Sequence, residues 1–340
     1  MRSDLYVAAL VFLSISFLCW FIVKRLIVVL QQAKQVDLVN ERSMHVGAVP
    51  RGGGIVISLA MIIALICAAL FSSQSVFYSA FATLISAWSL LSWFDDQLDL
   101  SPVTRFIPQM IFSVGTIAAY GWVDQLLGVQ IGLLGAVLTF VGILWMTNLY
   151  NFMDGIDGLA ASQAIIGGLT FAVWFYFLSN PTLALVCLVV AAASYGFLMH
   201  NWQPARIFMG DVGSISLGAF FSTCMVLVVT RHHAEILSVM LVFGFFILDA
   251  STTILIRIKR REPFWKPHRQ HLYQRLVQSG FSHQNVTLGG ILLMLLGSVL
   301  ATLSLTHHVM IGFSIAIEIA VYSAFYLLCR HRENIKINDS

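Results

Sequence analysis

IGLLGAVLTFVGILWMTNLYNFMDGIDG, residues 131–158, is the stretch that decides how the chain is read. Its first part, Ile131 to Thr147, carries no charge and comes close to the ~20 apolar residues that cross a bilayer. Its second part sets two amides and two carboxylates three residues apart, at Asn148, Asn151, Asp154 and Asp157. A helix running as far as Met153 puts the first three on one face. Gly155 and Gly158 then end the helix and let backbone approach a ligand closely. A membrane helix normally ends on Lys, Arg, Trp or Tyr, which reach the interface. Asn and Asp side chains at membrane depth are costly and mark a functional site.

The rest of the chain agrees with a membrane setting. Of 340 residues, 59% are hydrophobic and 10% charged, against roughly a quarter charged in soluble proteins. The expected fold is an all-α polytopic membrane protein, one integral membrane domain over residues 1–340. Eleven apolar runs are long enough to cross: 5–28, 54–72, 77–94, 103–122, 129–147, 159–178, 182–200, 214–230, 236–257, 286–305 and 309–329. The first reads as a retained helix, because no small-residue cleavage pattern follows it. With the N-terminus outside, seventeen of the nineteen Lys and Arg fall in inside segments and only Arg2 and Arg231 outside. The basic bias therefore predicts a periplasmic N-terminus and a cytoplasmic C-terminus. The net charge of +3 is scattered over short segments, which gives no support to nucleic-acid binding. The five cysteines lie in apolar runs without CxxC spacing and read as buried small hydrophobes.

Polar clusters gather in the inside segments. The first holds His45 and Arg51 before Gly52-Gly53-Gly54, where free backbone amides at a helix start suit phosphate. The second holds the adjacent Asp95 and Asp96, with Arg105 and Gln109 beyond. Paired aspartates repel and need a positive partner, and a divalent cation is the natural one. The third is the Asn148–Asp157 array. The fourth runs from Asn201 to Asp211, an acid that suits a helix cap or a metal ligand. The fifth carries His268, Arg269, His271 and Arg275, a cationic group suited to diphosphate. Asp249 and Glu318 are acids within apolar runs. Asp249 is placed to orient a site residue, and Glu318 has no assigned role.

These five clusters, in this order, resemble the polyprenyl-phosphate N-acetylhexosamine-1-phosphate transferase superfamily, glycosyltransferase family 4, in its O-antigen-initiating bacterial branch. The resemblance covers nearly the whole chain. It rests on Asn148-x-x-Asn151-x-x-Asp154-Gly-x-Asp157-Gly and on Asn201-x-x-Pro-Ala-x-Ile-Phe-Met-Gly-Asp211-x-Gly-Ser. It implies a Mg²⁺-dependent enzyme, with Mn²⁺ as a substitute, at the cytoplasmic face of a bacterial inner membrane. Undecaprenyl phosphate would attack the β-phosphate of a UDP-N-acetylhexosamine and release UMP. The donor would be UDP-GlcNAc or a 6-deoxy sugar such as FucNAc or QuiNAc, and the product would start an O-antigen or related envelope glycan. Carried over by position, Asp95 and Asp96 would handle Mg²⁺ and the lipid phosphate, and Asp211 would be a metal ligand. Asn148, Asn151, Asp154 and Asp157 would shape the nucleotide-sugar site, with Asn201 nearby. His268, Arg269, His271 and Arg275 would contact the donor. Tyr273-Gln274 stands where relatives carry further histidines, so donor identity should depend on it. The lipid bilayer is the other partner, and a homodimer is an assembly left open. The rival reading is a transporter of a phosphorylated or nucleotide sugar, which should place polar groups near the midplane and on both faces.

Overall fold

The structure is a computed structural model that describes residues 2–33, 36–37, 49–98, 101–263, 268–307 and 310–338. Helices occupy all eleven predicted runs. They are α1 Arg2–Gln32, α2 Ile55–Phe71, α3 Ser75–Leu98, α4 Pro102–Tyr120, α5 Gly132–Phe152, α6 Leu159–Phe177, α7 Pro181–Asn201 and α8 Asp211–His232, then a broken element. That element is α9 Ile236–Met240, a 3₁₀ turn at Leu241–Phe243 and α10 Gly244–Lys259. A short α11, Leu272–Gln278, precedes α12 His283–Thr306 and α13 Ile311–Asn338. Among the described residues nine helical segments are long and apolar enough to cross a membrane. The other two runs form the apolar but 17-residue α2 and the more polar α4, which carries Arg105 and Gln109. Among the described residues strand is confined to two tiny antiparallel pairs, one of them a hairpin at Gln125–Gln130 that precedes α5.

Helix α8 is the axis of the bundle. Its apolar window is wholly buried inside the protein, whereas those of α1 and α13 are mostly exposed. Lipid gives little hydrophobic push between helices, so close packing of small residues and polar contacts must hold them. Helix α8 supplies both. A Cβ on its Gly218 would lie 2.7 Å from the Thr147 Cα of α5. Its Ser216 Oγ meets Ser89 Oγ of α3 at 2.8 Å, and Ser58 Oγ of α2 donates to the Val212 carbonyl at 2.9 Å. The outward faces of the peripheral helices carry exposed Leu13, Phe17, Ile63, Leu133 and Leu292, as a lipid-facing surface requires.

The break before α10 was not legible as a run of apolar residues. Gly244 sits at it, and a Cβ there would overlap the Glu318 carboxylate of α13. Glu318 is 4% exposed and also lies against Gly297 of α12.

Close approach of α5 and α8 makes a direct prediction. Gly218→Ala should cost about 1–3 kcal/mol of stability through overpacking, read as a lower Tm in detergent. Gly142→Ala, on the same α5 but with nothing within 4 Å of its added Cβ, should leave Tm unchanged or slightly raised.

Candidate active site

Helix α5 continues to Phe152, so Asn148 and Asn151 do share a face. Asn148 Nδ2 donates to Gln109 Oε1 of α4 at 3.1 Å and to the Leu144 carbonyl at 2.8 Å. Asn151 Nδ2 donates to Asp211 Oδ1 at 3.0 Å and to Ser214 Oγ at 2.9 Å. The amide face therefore reaches directly from α5 to the amino end of α8.

Each member of the aspartate pair has its own arginine. Successive helix residues diverge by about 100°, and the pair splits accordingly. Asp95 is 7% exposed and meets Arg105 Nη1 at 3.3 Å. Asp96 accepts the backbone amides of Asp211 and Val212 at 3.4 and 3.1 Å. It thereby caps α8 from a neighbouring helix, where an anion is favoured by the free N–H groups and the helix dipole. Arg51 Nη2 lies 3.2 Å from Asp96 Oδ1 and hydrogen-bonds Asp211 Oδ1. Two carboxylate oxygens thus converge on one cationic nitrogen.

The glycines beside Arg51 do not offer free amides to phosphate. The N–H groups of Gly52 and Gly53 donate to the Phe208 carbonyl at 3.1 and 2.9 Å, and that of Gly54 to the Met209 carbonyl at 2.8 Å. Their role is close packing, since a Cβ on Gly54 would lie 2.4 Å from the Gly213 Cα. This zipper fixes Arg51 against the Phe208–Asp211 turn.

The α5–α6 turn carries Asp154 and Asp157. Burial pushes the Asp154 carboxyl well above the usual carboxylate range. Arg51 draws it down, while the charges of Asp211, Asp96 and Asp157 add to the rise. Asp154 is therefore within electrostatic reach of the same group. Asp157 is a junction. Its Oδ1 lies 3.1 Å from His283 Nδ1, its Oδ2 accepts the Ala205 amide at 3.1 Å, and its carbonyl accepts from Thr287 Oγ1 at 2.8 Å. Asn201 is 3% exposed, accepts the Gly158 amide at 3.0 Å and donates to the Ile207 carbonyl at 2.8 Å. Both its amide atoms tie site turns together.

The fifth cluster folds onto this turn. Asp249 of α10 is wholly buried and accepts the Leu272 and Tyr273 amides at 2.8 and 3.1 Å. Its Oδ1 also lies 3.4 Å from His271 Nδ1. That accounts for an acid within an apolar run: it anchors α11 over the site. Tyr273 Oη donates to the Phe152 carbonyl at 2.8 Å, and a Cβ on Gly155 would lie 2.1 Å from that hydroxyl. Tyr273, fully buried, thus shapes the turn through its hydroxyl. His268 and His271 rings sit 4.9 Å apart. Burial, with His271 and Arg257 beside it, pulls His268 down to about 4, Glu262 and Asp249 opposing. It is a neutral imidazole at pH 7.

Not every expected residue points the same way. Arg275 forms a bidentate pair with Glu333 of α13 at 2.8 and 2.7 Å, over the Tyr326 ring. Arg269 belongs to the same segment, its carbonyl accepting from Gln278. His45 lies outside the described residues. Sequence reasoning missed His283 and Ser214. Ser214 stands in the quoted Gly-Asp-x-Gly-Ser motif, whereas His283 is a lone residue at a helix start and carried no signal.

Among the described residues no group of three or more His, Cys, Asp or Glu is arranged to hold a metal. The Asp96–Asp211 pair nevertheless fits a small divalent cation in kind. Its donors are carboxylate oxygens, which such cations prefer, and they already close on the single positive centre of Arg51.

The glycosyl transferase family 4 model matches residues 78–229, which hold Asp95, Asp96, the Asn148–Asp157 array and Asp211. The chain is 30% identical to a probable undecaprenyl-phosphate N-acetylglucosaminyl 1-phosphate transferase of Bacillus subtilis, over 73% of this chain and 71% of the relative. It is 27% identical to a decaprenyl-phosphate N-acetylglucosaminephosphotransferase of Mycobacterium leprae, over 82% and 79%. It is 29% identical to a phospho-N-acetylmuramoyl-pentapeptide-transferase of Chlamydia muridarum, over 71% and 78%.

Two tests follow from the α11 contacts. Gly155→Ala should lower Tm, and adding Tyr273→Phe, which removes the clashing hydroxyl, should restore part of the loss. Because the His268 pKa is lowered on folding, the unfolded chain takes up its proton first as pH falls. Protection of residues 268–278 from hydrogen exchange should therefore weaken between about pH 6.5 and pH 4. His268→Gln should flatten that dependence.

Proposed function

We infer that this chain, which belongs to glycosyl transferase family 4, transfers an N-acetylhexosamine 1-phosphate from its UDP-sugar to undecaprenyl phosphate and releases UMP. The observation that carries the reading is the meeting of three carboxylates, two amides and two arginines from separate segments at one end of the helix bundle. Such a group suits chemistry between phosphates and suits transport poorly, because transport needs a polar path through the bundle. The basic bias of the connecting segments supports a cytoplasmic location for that end, with the N-terminus on the periplasmic side. The whole chain acts as one membrane domain in a bacterial inner membrane.

In the proposed reaction a lipid-phosphate oxygen attacks the β-phosphorus. A new P–O bond forms, the bond to the bridging oxygen breaks, and that oxygen leaves on UMP. Several negative charges must come together, so positioning and charge neutralisation do most of the work. The acceptor phosphate is already a competent nucleophile, and one step suffices without a Ser or Cys. Asp95, Asp96 and Asp211 are assigned to the metal and the lipid phosphate. Mg²⁺, or Mn²⁺ in its place, would supply further positive charge to the phosphate oxygens when bound. Arg51 and Arg105 hold the acids in place and are within reach of incoming phosphate. Asn148, Asn151, Asp154 and Asp157, braced by Asn201, shape the nucleotide-sugar site, with His268, Arg269 and His271 covering it. Tyr273 and Gln274 set donor preference through the Gly155 turn. The relatives' names favour N-acetylglucosamine as the sugar, ahead of a 6-deoxy N-acetylhexosamine. The product would begin an O-antigen or related envelope glycan.

The test is UMP release by purified protein with undecaprenyl phosphate, Mg²⁺ and UDP-N-acetyl sugars offered singly. UMP should appear only with lipid and metal together, and fastest with UDP-GlcNAc. Asp95→Asn, Asp96→Asn and Asp211→Asn should each lower turnover by about 10²–10³-fold or more in protein that still folds. A variant retaining most of its activity would remove that residue from the assignment. Release without lipid phosphate would refute the transferase.

A further inference from the structure

The opposite end of the bundle holds a polar cavity that the reaction does not use. It lies one helix length from Asp211, at the far ends of α6 and α8 and the near ends of α3 and α7. Its volume is about 330 Å³, and its walls include Gln74, Tyr78, Asn180, Thr182, Arg231 and His232. No Asp or Glu lines it among the described residues. The first residues of α7 form one wall, and a helix amino terminus favours negative charge. Arg231 is exposed, with its guanidinium over the Phe77 ring at 5.6 Å, and both residues line the cavity. Arg231 stands in the last turn of α8, on the side that carries few of the basic residues, away from the seventeen on the other side.

An apolar groove runs into the same cavity. Helices α1 and α2 both pack on α7 but barely on each other. They leave between them an opening of about 700 Å³, lined on the α2 side by Ala60, Ala64, Cys67 and Ala68. Ser72, Pro181 and Thr182 line both spaces, so groove and cavity share a rim. The groove follows α2 from Val56 to Phe71, about 23 Å at the helical rise. That covers the ~15 Å depth of one leaflet with room beyond.

We propose that this composite site binds one anionic phospholipid of the bilayer, its phosphate at Arg231 and His232 and one acyl chain in the α1–α2–α7 groove. The polar end alone would take any small phosphate, and the groove alone any chain. Their shared rim selects a molecule with both parts, and the acid-free lining selects negative charge. The site is independent of the transferase reading, because no residue in it belongs to the candidate active site.

The test is native mass spectrometry of the purified full-length protein, given phosphatidylglycerol or phosphatidylcholine separately. One phosphatidylglycerol per chain should be retained, with about fivefold weaker retention of phosphatidylcholine, the weight of one arginine at a headgroup. Arg231→Gln should equalise the two lipids. Cys67 is the exposed cysteine among five, so alkylating it with a bulky maleimide fills the groove after folding and should release both lipids. Equal retention of both lipids by the unmodified protein, or unchanged preference in Arg231→Gln, would overturn the headgroup assignment. Retention unaffected by alkylation would overturn the groove. A Tm raised by inorganic phosphate in lipid-free protein that retains neither lipid would replace the phospholipid with a small anion.

Discussion

Asp96 accepting the first amides of α8, while sharing Arg51 with Asp211, is the contact on which the rest of this structure depends. A carboxylate at the end of a membrane helix is tolerable only with partners, because an unpaired charge in a poorly solvated place is costly. Here the acid and its partners come from three separate segments. Helix α3 brings the acid, α8 brings the amides and Asp211, and the residues before α2 bring the arginine. Satisfying one charge therefore fixes where three elements meet. The packing of Gly54 on Gly213 is what brings the backbone close enough.

The same logic builds the roof. Asp249 cannot stay in an apolar run without donors, and the amides of Leu272 and Tyr273 supply them. The cost of burying that acid becomes a fixed position for α11, and with it for His271 and for Tyr273 under the Gly155 turn. Asp157 and Asn201 then bind the remaining turns to one another. Most of the unusual polar residues thus serve two purposes: they lie at the site, and they hold neighbouring residues there. The two ends of the bundle differ accordingly. One is a dense network of charge-assisted bonds, and the other holds an open cavity lined, among the described residues, by one arginine.

The helices were legible because the bilayer imposes a length and a composition that few soluble segments share. Even α4, too polar for a hydropathy criterion, stood out between its flanking polar turns. The 3₁₀ break before α10 was not legible, because it depends on Gly244 meeting Glu318 from a distant helix. That these polar residues would gather at one end of the bundle was legible for the same reason as the helices: Asn and Asp do not belong at helix ends in a membrane. Pairings were not. Nothing in two adjacent aspartates says that one turns to Arg105 and the other to Arg51. The glycines at 52–54 read as a phosphate cradle, but their amides close on Phe208 and Met209. Arg275 read as a donor contact, but it is held by Glu333. His283 gave no sign at all, since its partner Asp157 lies 126 residues away.

The account turns on two carboxylates that converge on one positive centre and are assigned to a divalent cation. Manganese binding tests this without relying on turnover. Electron paramagnetic resonance of the purified protein with Mn²⁺ and uridine diphosphate should show one protein-bound Mn²⁺ per chain, displaced by Mg²⁺. That signal should disappear in Asp211→Asn and persist in Arg231→Gln at the far end. An unchanged signal in Asp211→Asn, in protein shown to be folded, would contradict the assignment and leave the Asp96–Arg51–Asp211 joint a purely structural one.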